Sequence, residues 1–222
     1  MRKWLIVAVI VAVVMVAGVA SATPILWISD GTNTVTVKDN GENDVYDIAG
    51  VVTWTGSIGN FTINVTTGLS KPIIGDSNFP KLDLCSVNVS KGTGMLIIKW
   101  TDTGFTLPDT LPGFITNVGG TTNGTVSLDV YLDEGNSTFG TGTLLTSLGP
   151  FSGTFSDSDA VVIDPNEPFS LTQVVIITHT GAGQVTSFDA TTSPTPEPTT
   201  LLLLGTGLIG LASIGRRRLK KF

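Results

Sequence analysis

Val126-Ser127-Leu128-Asp129-Val130-Tyr131-Leu132-Asp133 alternates apolar and polar residues without a fault. In an extended chain successive side chains point to opposite faces, so Val126, Leu128, Val130 and Leu132 share one buried face. Shorter runs of the same kind recur at 25–29, 34–38, 51–55, 61–66, 82–89, 95–101, 113–118, 151–155, 160–163, 171–178 and 184–190. No stretch between the two ends of the chain carries a sustained 3.6-residue period, so the middle reads as about a dozen strands and no helix. Asn40-Gly41, Asn123-Gly124 and Gly119-Gly120 lie between apolar runs, where a hairpin corner needs positive φ. Pro80, Pro108, Pro112, Pro150, Pro165 and Pro168 fall at run boundaries, where a missing amide hydrogen costs no ladder bond. No fixed-period repeat is visible, which disfavours a solenoid or propeller. The expected fold is all-β, an antiparallel β-sandwich or jelly-roll-like domain over 23–189.

Composition separates this middle from its flanks. The 222 residues are 41% apolar with a mean hydropathy of +0.34, yet only 14% are charged and the net charge is −6. Residues 1–22 and 199–222 hold 7 of the 12 basic residues and no acid. Residues 23–195 keep 5 Lys, no Arg and 17 acids, a charge of 5 − 17 = −12. The same segment has 30 Thr, 21 Gly and 15 Ser, the residues of strands and tight turns. Nucleic-acid binding draws its affinity from Lys and Arg on phosphates, so this charge balance excludes a nucleic-acid partner.

The ends read as export signals. Met1-Arg2-Lys3, an apolar run from Trp4 to Val19, and Ala20-Ser21-Ala22 form a secretory signal peptide, expected to be helical over 1–22. Ala20 and Ala22 occupy the small positions before cleavage, and the mature chain then starts at Thr23. At the other end a Pro/Thr linker, 190–198, carries Pro196-Glu197-Pro198. An uncharged stretch, 199–215, is expected to form a short transmembrane helix, followed by the basic tail 216–222 with Arg216, Arg217 and Arg218. Positive residues stay cytoplasmic, so the Pro-Glu-Pro tripeptide lies just outside the inner membrane. Four glycines in a seventeen-residue span suit transient insertion better than a permanent anchor.

Pro196-Glu197-Pro198, the glycine-bearing apolar helix and the terminal arginine cluster resemble the PEP-CTERM sorting tail, a type also named after ice-binding proteins. The resemblance covers about the last 27 residues. It implies export through the Sec translocon of a Gram-negative bacterium and an inner-membrane intermediate recognised by an exosortase. Tail removal and release to the cell surface or extracellular polysaccharide matrix would follow. The tail gives a destination and leaves the activity open.

Few residues of the domain offer chemistry. Cys85 is the single cysteine and reads as a small buried hydrophobe; His179 is the single histidine and reads as a solvated strand end beside a glycine turn. With one histidine and no GxSxG elbow, neither a Ser/His/Asp site nor a multi-histidine metal site is available, and the inventory points away from an enzyme. Calcium is the one cofactor with candidate ligands: Asp39, Glu42, Asp44 and Asp47 crowd oxygens around Asn40-Gly41, and Asp157, Asp159, Asp164 and Glu167 form a second group. Sugar stacking could use Trp27, Trp54 or Trp100, although tryptophan at strand positions is more often core. Thr34/Thr36, Thr53/Thr55, Thr101/Thr103 and Thr141/Thr143 lack the constant spacing of an ice-binding ladder and read as solvent-facing strand positions. Five Asn-X-Ser/Thr triplets, from Asn60, Asn64, Asn88, Asn123 and Asn136, are possible glycosylation acceptors. The expected function is a non-enzymatic exported protein in adhesion or contact with extracellular polysaccharide. The competing readings are a secreted hydrolase using acidic loop residues, with Asp133-Glu134 or Asp157 and Asp159 as its carboxylates, and a stably anchored structural envelope protein.

Overall fold

The computed structural model describes residues 23–195 together with 206 and 207. The expected signal helix over 1–22 lies outside the described residues, as does the 199–215 span apart from Thr206 and Gly207, which are helical. Among the described residues no helix is long and apolar enough to cross a membrane.

Ten antiparallel strands follow in order: β1 (Ile25–Ser29), β2 (Thr34–Lys38), β3 (Val51–Ile58), β4 (Phe61–Leu69), β5 (Leu82–Lys91), β6 (Gly94–Phe105), β7 (Gly113–Asp133), β8 (Thr143–Val162), β9 (Phe169–His179) and β10 (Val185–Pro194). Hydrogen-bonded neighbours run β2-β1-β6-β9-β7-β10-β5-β4-β3, with β8 on the other edge of β7. The alternating run Val126–Asp133 is the second half of β7, and its Val126, Leu128, Val130 and Leu132 are all fully buried.

The two layers come from a fold in β7. Its first half pairs with β10 from Phe114↔Pro194 to Thr122↔Thr186, and its second half pairs with β9 from Thr125↔Thr178 to Asp133↔Ser170. Strands β9 and β10 lie face to face, because the buried Gln173 of β9 donates from Nε2 to the Ala190 carbonyl at 3.3 Å and to Thr192 Oγ1 at 3.1 Å. The halves of β7 must therefore turn over between Thr122 and Thr125, and β8 follows with register shifts at the same place. One sheet holds β2, β1, β6, β9 and the second half of β7; the other holds the first half of β7, β10, β5, β4 and β3. Gly119-Gly120 is thus inside β7 and not a hairpin turn. A side chain at Gly120 would overlap Phe188, and one at Gly124 would overlap Thr178 and His179, so the glycines serve the close approach of β10 and β9 at this crease.

The core between the sheets is apolar, with Leu26, Ile28, Leu96, Ile98, Trp100, Val175 and Ile177 opposite Ile63, Leu82, Leu84, Val87, Val89 and Phe188. Trp100 is fully buried and reaches across to β4, where its Nε1 donates to the Leu69 carbonyl at 3.3 Å. Its ring fills the space that a side chain at Gly68 would need, with an ideal Cβ only 2.5 Å from the indole. Cross-strand threonine pairs stitch neighbouring strands within each sheet at Thr53/Thr67, Thr101/Thr172, Thr116/Thr192 and Thr122/Thr186, at 2.7–3.1 Å. Thr53 and Thr101 are therefore buried, contrary to the solvent-facing expectation, because a paired hydroxyl satisfies its hydrogen-bonding capacity inside the sheet. Cys85 is half-buried on β5.

Asp83 of β5 accepts from Thr191 Oγ1 of β10 at 3.2 Å, and partial burial pushes its carboxyl above the ordinary 3.8 despite that bond. A carboxylate with a raised folded value costs stability at neutral pH, and the cost is relieved as pH falls through that value. Asp83→Asn is expected to raise the melting temperature at about pH 7 and to bring little change at about pH 3, where the parent carboxyl is also neutral. Thermal melts of both chains at the two pH values check this.

Candidate functional site

Short turns and long loops collect at opposite ends of the sandwich. The turns at 30–33, 59–60, 91–93 and 180–184 lie together: Gly59 abuts Asp30, and His179 bonds to Lys91. The loops at 39–50, 70–81, 106–112, 134–142 and 163–168 occupy the other end. They are joined by Ser70 N–H to the Gly50 carbonyl, Thr106 N–H to the Ser77 carbonyl, and Asn166 to Glu134. Phe169 packs against Phe105 at 6.2 Å and edge-on against Phe114 at 6.1 Å, closing the core beneath this loop end.

A cleft of about 550 Å³ opens there between three loops, lined by Asn78, Thr106, Asp109, Asp164, Asn166 and Glu167, with exposed Pro108 at its edge and the buried Leu107 and Pro165 beneath. Its walls are fixed by bonds across the loops. Thr106 Oγ1 donates to Asn78 Oδ1 at 2.6 Å and to the Ser77 carbonyl at 3.2 Å. The Glu167 carboxylate accepts from the Leu107 amide, tying the 163–168 loop to the 106–112 loop. Glu134 clamps Asn166 with one oxygen on its backbone amide at 3.0 Å and the other on Nδ2 at 2.9 Å. That side-chain bond from Asn166, with the backbone bond, lowers the Glu134 carboxyl below its usual range. Asp109, Asp164 and Glu167 are exposed at the cleft, and a smaller depression of about 260 Å³ continues past Leu111, Val162 and Ile163. The result is a polar, acidic groove able to accept hydroxyl or amine donors on carboxylate and amide oxygens.

Among the candidate ligand, catalytic and stacking residues named from the sequence, only Asp164 and Glu167 reach this cleft. Asp157 and Asp159 lie within β8, where Asp159 Oδ2 accepts from Thr146 Oγ1 at 2.6 Å. Asp133 accepts the backbone amides of Ser137 at 3.0 Å and Gly135 at 3.3 Å, and these bonds, that of Ser137 foremost, hold it below its ordinary value. Asp39 and Asp44 organise the β2–β3 loop: Asp39 accepts the Gly50 amide at 3.0 Å, while Asp44 accepts those of Asn40 at 3.1 Å and Thr53 at 2.9 Å. Glu42 and Asp47 are exposed in the same loop. Among the described residues no three His, Cys, Asp or Glu side chains gather into a metal site.

His179 is the clearest correction. It is 1% exposed, with Nε2 2.9 Å from Thr186 Oγ1 and Nδ1 3.0 Å from the Lys91 carbonyl, and its ring lies 5.7 Å from that of Phe61. It is buried because both ring nitrogens find partners on neighbouring strands and turns, which the local Thr-His-Thr-Gly sequence does not reveal. Trp54 and Trp100 are core residues, so of the stacking candidates Trp27 alone keeps an outward face, on β1, with Lys99 Nζ 5.1 Å over its ring. Among the glycosylation candidates, Asn64 Nδ2 is bonded to Asn88 Oδ1 at 3.1 Å, and Asn136 Oδ1 accepts the Gly104 amide at 2.7 Å. Ala20, Ala22, Pro196, Glu197, Pro198, Arg216, Arg217 and Arg218 lie outside the described residues.

No curated protein matches the chain. Its likeness to solved structures is loose. The carbohydrate-binding module TmCBM61 in complex with β-1,4-galactotriose aligns at 10% identity over 67% of this chain and 83% of its own, with a TM-score of 0.31. The mannan-recognising module TmCBM27 aligns at 8% identity over 65% and 89%, with a TM-score of 0.30. The arabinose-bound α-L-arabinofuranosidase MgGH51 aligns at 16% identity over 68% of this chain but 24% of its own, with a TM-score of 0.32. In sequence, residues 194–218 match the model of the PEP-CTERM protein-sorting motif. The chain therefore carries a PEP-CTERM sorting tail, which makes it an exported exosortase substrate sorted to the cell envelope or surface.

Proposed function

We propose that the mature protein is a non-catalytic β-sandwich released into the extracellular polysaccharide of a Gram-negative bacterium, where its loop-end cleft contacts neutral glycans. The observation that carries this reading is the cleft itself. Planar carboxylate and amide groups of Asp109, Asp164, Asn166 and Glu167 line an open cleft with the exposed Pro108 at its edge, an acceptor-rich surface suited to a sugar's hydroxyls. Acidic glycans are disfavoured, because three exposed carboxylates line the cleft and residues 23–195 carry −12. Binding without catalysis is supported by the ties on the nearby acids: Asp133 and Glu134 are held by turn and loop bonds that favour their ionised forms, which ill suits a general acid. The chain also enters and leaves the sandwich at the cleft end, where the Asp39 amide meets the Pro24 carbonyl at 3.1 Å and the Thr195 amide meets the Gly113 carbonyl at 2.9 Å. Tail removal would thus free the end that bears the cleft.

The mature protein on a glycan array is expected to retain neutral oligosaccharides and to pass over uronates and sulfated sugars. A parallel panel of chromogenic glycosides is expected to show no turnover. Retention of acidic glycans alone would contradict the cleft assignment, and turnover of any glycoside would favour a hydrolase.

A further inference from the structure

Lys71 and Asp102 form the one ion pair recorded among the described residues, and it sits inside the protein. Lys71 lies just past β4 in one sheet, and Asp102 lies on β6 in the other. Their side chains are 12% and 0% exposed, and Lys71 Nζ is 2.8 Å from Asp102 Oδ2. The Phe105 ring lies 3.8 Å from Nζ. Both ends are held: Nζ also donates to the Thr103 carbonyl at 2.5 Å, Ser70 Oγ donates to Asp102 Oδ2 at 2.6 Å, and the Thr103 amide donates to Asp102 Oδ1 at 2.7 Å. Taking two full charges out of water is costly, and their attraction, the hydrogen bonds and the Phe105 ring face all have to work against that desolvation.

We propose that in the mature protein Lys71 and Asp102 are joined by a side-chain amide bond between Nζ and Cγ, a covalent cross-link between the two sheets. The reaction balances within the pair. One ammonium proton passes to the carboxylate, leaving a neutral amine and a neutral acid. The Nζ lone pair forms the bond to Cγ, the Cγ–Oδ2 bond breaks, and Oδ2 departs as water with two of the three ammonium protons. No oxidant, reductant or activating group is consumed. The surroundings suit each step. Burial lowers the Lys71 amine below its ordinary value, which favours the nucleophilic form even against the opposing pull of Asp102. The Thr103 amide faces Oδ1, where negative charge develops as nitrogen adds, and the Ser70 hydroxyl faces the departing Oδ2. Fixing amine and carboxyl in contact removes the entropic part of the barrier. The product also keeps its partners, since the amide N–H can donate to the Thr103 carbonyl and Oδ1 still accepts the Thr103 amide, while Ser70 Oγ retains the Lys81 carbonyl at 3.4 Å. A neutral, bonded amide replaces two buried charges.

The test is a tryptic digest of the mature protein, purified from its own exported fraction and fully denatured. Trypsin spares Lys71-Pro72, so the fragment 39–81 is expected to appear joined to the fragment that starts at Trp100. The joined mass should be one water, about 18 Da, below the sum of the two. Lys71→Arg, which keeps the charge but cannot form this amide, and Asp102→Ala are both expected to release the fragments separately. Recovery of the two fragments unlinked and at full mass from the wild-type protein would overturn the proposal, whatever the folding of the variants. The result is independent of glycan binding.

Discussion

A Trp100→Ala chain is expected to lose about 3–5 kcal/mol of stability, the usual cost of emptying a fully buried aromatic site. Trp100 is 0% exposed, spans the two sheets and donates to the Leu69 carbonyl, so its removal strips packing from both layers and leaves that acceptor to find another partner. For a domain of this size, about 2–4 °C is lost per kcal/mol, which places the fall in melting temperature near 10 °C. The reciprocal change is informative. Gly68→Ala puts a methyl group into the indole, with an ideal Cβ at 2.5 Å from ring atoms and the backbone fixed by pairing with both β3 and β5. Overpacking of this kind costs about 1–3 kcal/mol. The two changes together are expected to cost less than their sum, because the added methyl enters the space the ring vacates. Chemical denaturation of the four chains measures the coupling, and strict additivity would mean that Trp100 and Gly68 do not pack as described.

Export gives the other large effect. Residues 194–218 match the PEP-CTERM protein-sorting motif, and Pro196-Glu197-Pro198 is the part of it that we propose the exosortase reads. Replacing the tripeptide by Ala-Ala-Ala is expected to abolish release, leaving a longer chain that ends at Phe222 in the inner-membrane fraction. Wild-type protein should instead be recovered outside the cell, starting at Thr23 and lacking Arg216, Arg217 and Arg218. Mass spectrometry of both fractions reads the two termini directly. Normal release of the triple variant would show that the tripeptide is not what the exosortase reads.

Much of the fold was legible because burial in a two-layer sandwich follows the two-residue period of the chain. β1 and β2 fall at the bounds that alternation indicates, and Val126, Leu128, Val130 and Leu132 are buried as a set. The crease in β7 was not legible. Gly119-Gly120 and Asn123-Gly124 carry the local chemistry of a turn, and pairing with β10 before the crease, β9 after it and β8 along both halves keeps the chain in one continuous strand. Continuity of β8 through Gly149, Pro150 and Gly153 was hidden for the same reason. The last five residues of β10, 190–194, belong to the strand because β7 and β5 pair with that segment, although their composition reads as linker.

The cleft was legible only in pieces. Asp164 and Glu167 stood out as acids in a Pro-rich turn, but Asn78 comes from a loop roughly ninety residues earlier, and nothing local marks Thr106 or Asp109 as its companions. Chain topology brings the β4–β5, β6–β7 and β8–β9 loops to one end, and the bonds from Thr106 to Asn78 and from Leu107 to Glu167 decide their spacing. His179 shows the converse. A glycine turn beside it suggested exposure, and its partners Lys91 and Thr186 are supplied by the fold.

Calorimetric titration of the mature protein with a neutral oligosaccharide retained on the array, repeated with Asp164→Ala and Asn166→Ala, tests the glycan-contact reading most directly. The wild-type chain is expected to bind, and each substitution should weaken binding by about tenfold or more, the loss of one hydrogen bond to a charged or amide group. Unchanged affinity in both variants would place any glycan contact elsewhere, with the outward face of Trp27 the next surface to test, and the absence of binding by the wild-type chain would contradict the function proposed for the cleft.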